Sequence, residues 1–360
     1  MTATDLFAPM SFSHGAAMKN RFMLAPLTNS QSHADGTLSD DEFHWLTLRS
    51  KGGFGATMTC AAHVSRIGQG FPGQLGAFSD EHLPGLTRLA AAIKAAGSLA
   101  VVQLHHAGMR SPGALIGEAP VCPSDNAEFG ARALSQAEVE QLIEDFIAAA
   151  VRCQTAGFDG VELHGAHGYV LCQFLSAEIN QRTDRFGGSL ENRWRVIGEI
   201  IDGVRQRCGP DFNLGLRLSP ERFGLKLAEI RELAEAVMLS GKIDYLDMSL
   251  WSSFKVPEEE AFKGRPLINW FTDLPRGATR LGVAGKIMSA QTARDCLAAG
   301  ADFVLIGRAA ILHHDYPNQI AVDPGFAPAA TPVTRDYLRQ EGLGPVFVDY
   351  MATWKGFVAD

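Results

Sequence analysis

The sequence predicts an α/β fold, a single-domain (β/α)8 barrel of the TIM type, on two observations. Eight short apolar segments alternate with longer segments of helical periodicity, and near-continuous apolar runs are typical of parallel strands buried on both faces. Four helical segments also end in a glycine shortly before the next strand, where glycine can adopt the left-handed conformation that ends a helix. These glycines are Gly97, Gly157, Gly241 and Gly300.

The predicted strands follow one another along the first 306 residues. They are residues 22–25, 55–60, 99–104, 159–164, 213–218, 244–249, 281–287 and 303–306. A doubly wound open sheet is the alternative, and it would be expected to carry a glycine-rich turn directly after its first strand. The first strand instead runs into Pro26, Leu27 and Thr28, which favours the barrel.

The segments between the strands fit the same fold. Ser135 and Glu138 form a predicted capping box before an amphipathic helix, and Ser289 is a predicted cap of another helix. Long connections follow strands three, four and six, at the carboxyl ends of the strands, where barrel active sites lie. They span residues 107–133, 165–193 and 250–279. We treat residues 1–360 as one domain, with 1–18 as a lid over the barrel floor and 318–360 as a carboxyl-terminal tail.

Composition narrows the functional class. The 360 residues are 46% hydrophobic and carry a formal net charge of −8, which argues against nucleic acids and anionic membranes as partners. There is no apolar run long enough for a spanning helix and no secretory leader pattern. The six cysteines include no CxxC pair, which disfavours zinc and iron–sulfur sites and indicates a reducing, cytoplasmic location. We expect no metal, and composition leaves a homo-oligomer open.

The densest cluster of chemistry-bearing residues ends the fourth predicted strand. His164 and His167 are three residues apart and can both point at one oxygen if the loop turns back, and Tyr169 can supply a proton near them. Two alternatives stay open for these residues. They are a structural role in packing and a metal site, although no third ligand is evident nearby.

Other polar residues end further strands. Arg217 interrupts an apolar strand, which requires either an anionic ligand or an ion pair with a barrel acid such as Glu162. Gln103 offers both a donor and an acceptor to an amide-rich ring. Residues near the ends of strands seven and eight suit a phosphate, because that region of a barrel commonly binds one. They are Gly285, Gly307 and Arg308.

The residues around these positions resemble the Old Yellow Enzyme family of FMN-dependent ene-reductases, from residue 20 to about residue 312. The most specific part continues the His164–Tyr169 motif, and shorter motifs match before and after it. The matching residues are Asn20-Arg21, Ala25 to Thr28, Gln103-Leu104, His106-Ala107-Gly108, Phe174-Leu175-Ser176, Asn180, Arg182-Thr183-Asp184, Gly187-Gly188-Ser189, Glu191-Asn192-Arg193 and Gly307-Arg308. His105 departs from the pattern, because many relatives carry tryptophan there.

The resemblance implies a non-covalently bound FMN and assigns cofactor contacts. The chain around Ala25, Pro26 and Leu27 would line the flavin, and Thr28 would bond the carbonyl beside N5. Ala61 would lie at the reactive edge of the ring. The pyrimidine side and the phosphate would be held by Gln103, Arg217, Gly285, Gly307 and Arg308.

The resemblance also implies a reaction. NADPH or NADH would reduce the flavin, which would then reduce an enone or a nitroalkene. His164 and His167 would bind the activating oxygen, and Tyr169 would be the proton donor. Two other functions remain open on the residues alone. One is a lyase or aldolase with Lys286 as a Schiff-base lysine, and the other is a flavin-binding sensor without turnover.

Overall fold

The computed structural model describes residues 5–359, and its central feature is a closed barrel of eight parallel strands. Each strand pairs with its neighbours along the chain, and β8 pairs with β1 to close the barrel. The strands are β1 Phe22–Leu24, β2 Ala56–His63, β3 Leu99–His105, β4 Gly160–Gly165, β5 Asn213–Leu218, β6 Tyr245–Ser249, β7 Arg280–Ala284 and β8 Phe303–Ile306. The predicted fold is therefore confirmed.

Two predicted strand ends are wrong by three residues, and the first is that of β2, which was expected to end at residue 60 but runs to His63. Residues 281–287 were expected to form the seventh strand, but β7 ends at Ala284. The chain turns away because Lys286 has a φ of +52° and so leaves extended geometry. The backbone carbonyl of Gly285 accepts hydrogen bonds from both the N–H and the hydroxyl of Ser253. This turn moves Gly285 and Lys286 from the barrel wall to its rim.

Helices surround the barrel, and their ends follow the predicted signals. The capping box of Ser135 and Glu138 is confirmed, and Ser289 caps the helix that follows it. The four glycines predicted to end helices all have positive φ angles. The helices between strands are Asp40–Lys51, Leu83–Ala95, Gly113–Ile116, Gln136–Thr155, Val170–Leu175, Leu190–Cys208, Leu227–Leu239, Asn269–Thr272 and Ala290–Ala298.

Residues 5–18 lie across the amino-terminal end of the barrel. The ring of Phe12 lies 5.8 Å from the ring of Tyr245 and 6.5 Å from that of Phe303, where β6 and β8 begin. The backbone N–H of His14 donates to the carboxylate of Asp244, just before β6. The predicted lid also includes residues 1–4, which lie outside the described residues.

The carboxyl-terminal segment packs back onto the barrel. Its helices are Arg308–Leu312, Tyr316–Val322, Arg335–Gln340 and Pro345–Ala352. Phe347 is buried edge-on against Trp45, with ring centroids 4.8 Å apart, and Phe357 is also buried. The same segment carries the half-buried rings of Tyr350 and Trp354 to the carboxyl-terminal mouth of the barrel. Between residues 5 and 359 no helix is both long and apolar enough for a membrane span.

Candidate active site

Two adjoining cavities open at the carboxyl ends of the strands. The smaller has a volume of about 250 Å³ and the larger about 710 Å³, and both are lined by His167, Trp251, Ala284, Gly285 and Trp354. The smaller cavity brings together eight of the predicted site residues. They are Ala25, Pro26, Leu27, His167, Arg217, Gly285, Gly307 and Arg308. The larger cavity contains Tyr169 as well as His167.

Three aromatic rings meet beside the cavities, and of these the buried His164 lines neither cavity. The ring of His164 lies 5.0 Å from that of His167 and 5.1 Å from that of Tyr169. The Nδ1 atom of His164 accepts a hydrogen bond from the backbone N–H of Ala166, so in the neutral ring Nε2 carries the proton. Burial lowers the pKa of His164 and lowers that of His167 to about 3. Both rings are therefore neutral, each with one N–H, and the Nε2 atom of His167 lies 2.7 Å from the hydroxyl of Ser249.

The loop that carries His167 and Tyr169 is tied to the loop after β3 by the buried amide of Gln173. Its oxygen accepts from the N–H of Met109, and its nitrogen donates to the carbonyls of Ala107 and Gly168. Gly108, with a φ of +62°, lets the chain approach, since a Cβ there would lie 2.3 Å from the amide oxygen. Gln173 therefore holds the two loops in one fixed arrangement.

Backbone strain is concentrated at the cavities. Six residues other than glycine in the described chain have positive φ angles, and five of these line one or both cavities. Such conformations cost on the order of 1–3 kcal/mol each and persist where the surrounding structure enforces them, which is common at functional sites. The five are His167, Arg222, Phe223, Trp251 and Lys286.

Arg217 lies on the floor of the smaller cavity and forms a buried ion pair. Its Nε atom is 2.9 Å from the carboxylate of Asp247 on β6, and its Nη2 atom is 3.4 Å from the hydroxyl of Ser249. The sequence suggested Glu162 as the partner, but Glu162 accepts a hydrogen bond from Gln103 instead. The sequence analysis did not identify Asp247 as the partner of Arg217. A single charged residue within an apolar strand identified Arg217, and Asp247 shows the same pattern in β6.

This buried cluster contains two carboxylates and one guanidinium. Burial is the main cause that raises the pKa of both Glu162 and Asp247, and Arg217 partly opposes it. Glu162, Asp247 and Tyr245 each have a polar atom without a hydrogen-bond partner among the described residues, and the Nε atom of Arg217, although 2.9 Å from Asp247, is not aligned for a hydrogen bond. Unpaired buried polar atoms are rare in native proteins and indicate a missing partner. Of these residues only Arg217 lines the smaller cavity, so its N–H groups are the ones that fit the acceptors of a flavin pyrimidine edge.

The predicted phosphate residues lie together at the rim of the smaller cavity. Gly307 has a φ of −103° and a ψ of −89°, outside the main allowed regions, and an added Cβ would meet Leu27 and Ala25 only at 3.5 Å or more. Contact with protein neighbours therefore does not require the glycine, whereas its backbone conformation and a close phosphate both favour it. The exposed guanidinium of Arg308 lies 5.5 Å from the centre of the Trp354 ring. These residues fit a phosphate.

The remaining predicted contacts lie near the cavities without lining them. Ala61 is the only residue of β2 that is not fully buried, and Thr28 is half-buried on the loop after β1. Gln103 is buried on β3 next to Glu162. Lining residues that the sequence did not assign come from loops, from the end of β6 and from the carboxyl-terminal segment. They include Arg110, Arg222, Phe223, Ser249 and Tyr350.

His105, the departure from the family pattern, lies under the site. Its ring is 4.4 Å from that of Tyr169, and its Nδ1 atom is 3.0 Å from the amide nitrogen of Gln74. The Gln74 oxygen accepts from the backbone N–H of Gly70, so its nitrogen is the donor toward His105. His105 therefore carries its proton on Nε2, beside Tyr169.

The geometry gives little support to a metal site or to a Schiff-base lysine. Within residues 5–359 no three histidine, cysteine, aspartate or glutamate side chains are arranged to hold a metal ion. Lys286 lines the smaller cavity, but it is exposed to solvent at the rim. A Schiff-base lysine is normally activated by desolvation or by a neighbouring cation inside the site.

Comparison with known proteins decides the family. The NADH:flavin oxidoreductase / NADH oxidase family profile matches residues 5–323. The chain belongs to the Old Yellow Enzyme family. It is an NAD(P)H-dependent flavin oxidoreductase whose cofactor is FMN and whose hydride donor is a nicotinamide. This assignment agrees with the fit of the smaller cavity to a flavin phosphate and pyrimidine edge.

Individual relatives support the assignment. The chain is 37% identical to the "Probable NADH-dependent flavin oxidoreductase YqiG" of Bacillus subtilis, over 89% of this chain and 86% of that one. It is 34% identical to the NADH:fumarate oxidoreductase of Klebsiella pneumoniae, over 89% of this chain but only 36% of that one. The second similarity therefore concerns one part of a much longer protein.

Solved structures of the family superpose closely. The Old Yellow Enzyme homologue from Zymomonas mobilis has a TM-score of 0.79 at 25% identity, over 96% of this chain and 99% of that one. Morphinone reductase in complex with tetrahydroNAD also has a TM-score of 0.79, at 27% identity, over 96% of this chain and 97% of that one. The barrel described above is thus the barrel of this family.

The buried histidines predict a loss of stability in mild acid. Burial lowers the pKa of His63 to about 4 and of His106 and His167 to about 3, and it also lowers the pKa of His105 and His164. In the unfolded chain each group titrates near 6.5. As the pH falls below this value, the unfolded chain binds protons that the folded chain does not. The free energy of unfolding then falls by up to about 1.4 kcal/mol per pH unit for each histidine.

The buried carboxyls act in the opposite direction. The raised pKa values of Glu162 and Asp247 mean that the folded chain holds these protons more tightly, so their contribution is present at low pH and is lost as the pH rises. Burial also raises the pKa of Glu42 and Asp145 and lowers that of His313, so six histidines oppose four carboxyls, and we expect the net stability to fall with the pH. Urea unfolding of the FMN-free protein above and below pH 6.5 measures this. Constant or increasing stability on acidification contradicts it.

Proposed function

We propose that this flavin oxidoreductase reduces the activated C=C bond of α,β-unsaturated carbonyl or nitro compounds. The observation that carries the proposal is the contact of His164 with His167 and Tyr169, of which His167 lines both a cavity suited to FMN and a larger cavity open to a substrate. Two neutral imidazoles and a phenol at one place provide two donors for an activating oxygen and one proton source.

The residues around the substrate have different roles in the proposed reaction. FMN, when bound, would supply the hydride chemistry that links NADH or NADPH to the β-carbon of the substrate. His164 and His167 donate to the activating oxygen and stabilise the negative charge that develops there. Tyr169 gives its proton to the α-carbon. Burial raises the pKa of Tyr169, so the phenol remains protonated at neutral pH and can act as an acid.

The second set of residues holds the cofactor. Arg217 would face the pyrimidine edge, where its positive charge would offset the charge gained on reduction. Gly307 and Arg308 would hold the phosphate, and Gly285 lines the same cavity. Alternation of the two half-reactions through one cavity requires NADH or NADPH to leave before the unsaturated compound enters.

Replacing Arg308 with glutamine tests the phosphate contact. A charge-assisted bond to a phosphate contributes about 1.5–3 kcal/mol, so we expect FMN to bind about 10- to 150-fold more weakly. Fluorescence titration of the FMN-free protein with FMN measures this, and riboflavin, which has no phosphate, is the matched ligand. Riboflavin affinity should be nearly unchanged. An equal loss for both ligands would show that Arg308 acts on the fold and not on the phosphate.

The half-reactions test the function itself. Under anaerobic conditions NADH or NADPH should bleach the visible absorbance of the FMN-loaded protein, and one equivalent of enone or nitroalkene should restore it. Bleaching without recovery for any unsaturated compound would favour a flavin-binding sensor or an oxidase over an ene-reductase. Trapping of a substrate on Lys286 by borohydride would instead indicate the lyase.

A further inference from the structure

The larger cavity has a cationic rim. Its charged lining side chains are Arg110 and Arg222, and none of the lining residues within the described chain is acidic. Arg222 is paired, since its Nε atom lies 3.1 Å from a carboxylate oxygen of Glu258. Arg110 has no carboxylate within salt-bridge distance among residues 5–359 and therefore carries an uncompensated charge at the cavity.

Arg110 is held in place above the reactive groups. One of its Nη atoms donates to the backbone carbonyl of His167 at 2.5 Å, and its guanidinium lies 4.8 Å from the centre of the Tyr169 ring. The loop that carries it is fixed by Gln173, which bonds both Met109 and the His167–Tyr169 loop. A guanidinium has five N–H donors, and the one bond to the protein leaves most of them for a ligand.

The remaining walls of the cavity are aromatic. Phe223, Trp251, Tyr350 and Trp354 line it together with Arg110, and Trp251 is 48% exposed. Exposed aromatic faces around a concave site favour a planar ligand, and a guanidinium at one end favours an anionic oxygen group. The cavity volume of about 710 Å³ is large for a simple enone or nitroalkene.

We propose that Arg110 is a specificity-determining residue that binds an anionic oxygen group of the ligand, so that the site prefers planar α,β-unsaturated compounds carrying a carboxylate. The inference rests on the proposed ene-reductase function and extends it to a substrate class. The anionic oxygen group that Arg110 binds could also be the phosphate that distinguishes NADPH from NADH. Hydride donor and substrate use one cavity in turn. An effect of Arg110 on flavin reduction therefore indicates the phosphate, and an effect on substrate reduction indicates the carboxylate.

The test compares matched ligands in both half-reactions of the FMN-loaded enzyme. The substrates are a cyclic enone that carries a ring carboxylate and the methyl ester of the same compound, and the donors are NADPH and NADH. The variants are Arg110→Gln, Arg110→Lys and, as a control for loss of a surface arginine, Arg88→Gln on an outer helix. In Arg110→Gln we expect kcat/KM for the acid to fall about 10- to 100-fold and that for the ester to change less than about threefold.

The Arg110→Lys variant and the two hydride donors show whether Arg110 binds an anion. Partial recovery of kcat/KM for the acid in Arg110→Lys supports the proposal, because lysine keeps the positive charge but not the planar guanidinium that binds an oxygen group with two N–H donors. A selective loss for NADPH over NADH in flavin reduction also supports the anion site and assigns it to the phosphate. If acid and ester, and both donors, lose equally or not at all, then Arg110 binds no anion, and at most it positions Tyr169 and His167.

Failure of the proposed function is distinguishable from failure of this inference. If the wild-type enzyme reduces neither acid nor ester, the ene-reductase proposal fails. Dissociation constants of the two compounds, measured by the change in flavin absorbance, then test Arg110 directly. Tighter binding of the acid that is lost in Arg110→Gln retains the anion site, and equal binding of acid and ester by the wild type overturns it.

Discussion

Replacing Tyr169 with phenylalanine is expected to slow reduction of an unsaturated substrate by about 10²- to 10⁴-fold, while reduction of the flavin by NADH or NADPH changes little. The phenol is the proton source at the α-carbon, and phenylalanine keeps the ring that packs against His105 and His164. Hydride transfer from the nicotinamide needs no proton from Tyr169. Stopped-flow measurement of the two half-reactions separates the steps.

A matched variant controls for loss of a phenol elsewhere. Tyr337→Phe removes a hydroxyl that donates to the carbonyl of Leu312, away from both cavities, and should leave both half-reactions unchanged. An unchanged rate of substrate reduction in Tyr169→Phe, with flavin reduction slowed instead, would remove Tyr169 from its role. A substrate that takes its proton from water would show a smaller loss, so a set of enones and nitroalkenes should be compared.

Replacing Arg217 with leucine is expected to destabilise the FMN-free protein by about 3–5 kcal/mol, because it leaves buried Asp247 without its cation. The same loss removes the positive charge proposed to face the flavin, so FMN binding should weaken as well. Urea unfolding of the FMN-free protein measures the stability without any contribution from the cofactor.

The pH dependence of this loss identifies its cause. Without Arg217 the pKa of Asp247 rises further above its unfolded value, because the guanidinium is the group that lowers it. A raised pKa of a carboxyl makes its contribution to stability greatest at low pH and reduces it as the pH rises. The difference between wild type and variant should therefore shrink on acidification.

A double-mutant cycle completes this test. Arg217→Leu combined with Asp247→Leu replaces both members of the pair by apolar side chains and should recover a large part of the lost stability. Strictly additive losses would show that the two residues act independently. A loss that does not depend on pH would indicate that the cost comes from packing and not from the unpaired carboxyl.

The sequence predicts the barrel because each strand carries its own local signal. Apolar runs, helix caps such as Ser135 and terminal glycines such as Gly97 depend on neighbours only a few residues away. The seventh strand was predicted to be too long because the apolar pattern continues past Ala284, although Lys286 has already turned out of the strand. Periodicity does not report such a change in φ.

The site is predicted in part for a similar reason. Residues at strand ends, such as His164, Arg217 and Gly307, converge in any closed parallel barrel. Arg110 and Trp354 lie far apart in sequence and meet the same cavity only through loop conformation and tertiary packing. The uncompensated charge of Arg110 likewise depends on which carboxylates lie nearby, and only the folded chain shows this.

The most direct test of the central claim is a crystal structure of the protein with FMN and an unsaturated ligand bound. We expect the phosphate within hydrogen-bond distance of Arg308, the pyrimidine edge of the ring against Arg217, and the activating oxygen between His164 and His167 with Tyr169 above the α-carbon. A flavin bound elsewhere, or one whose phosphate and pyrimidine ends contact neither arginine, would contradict the account.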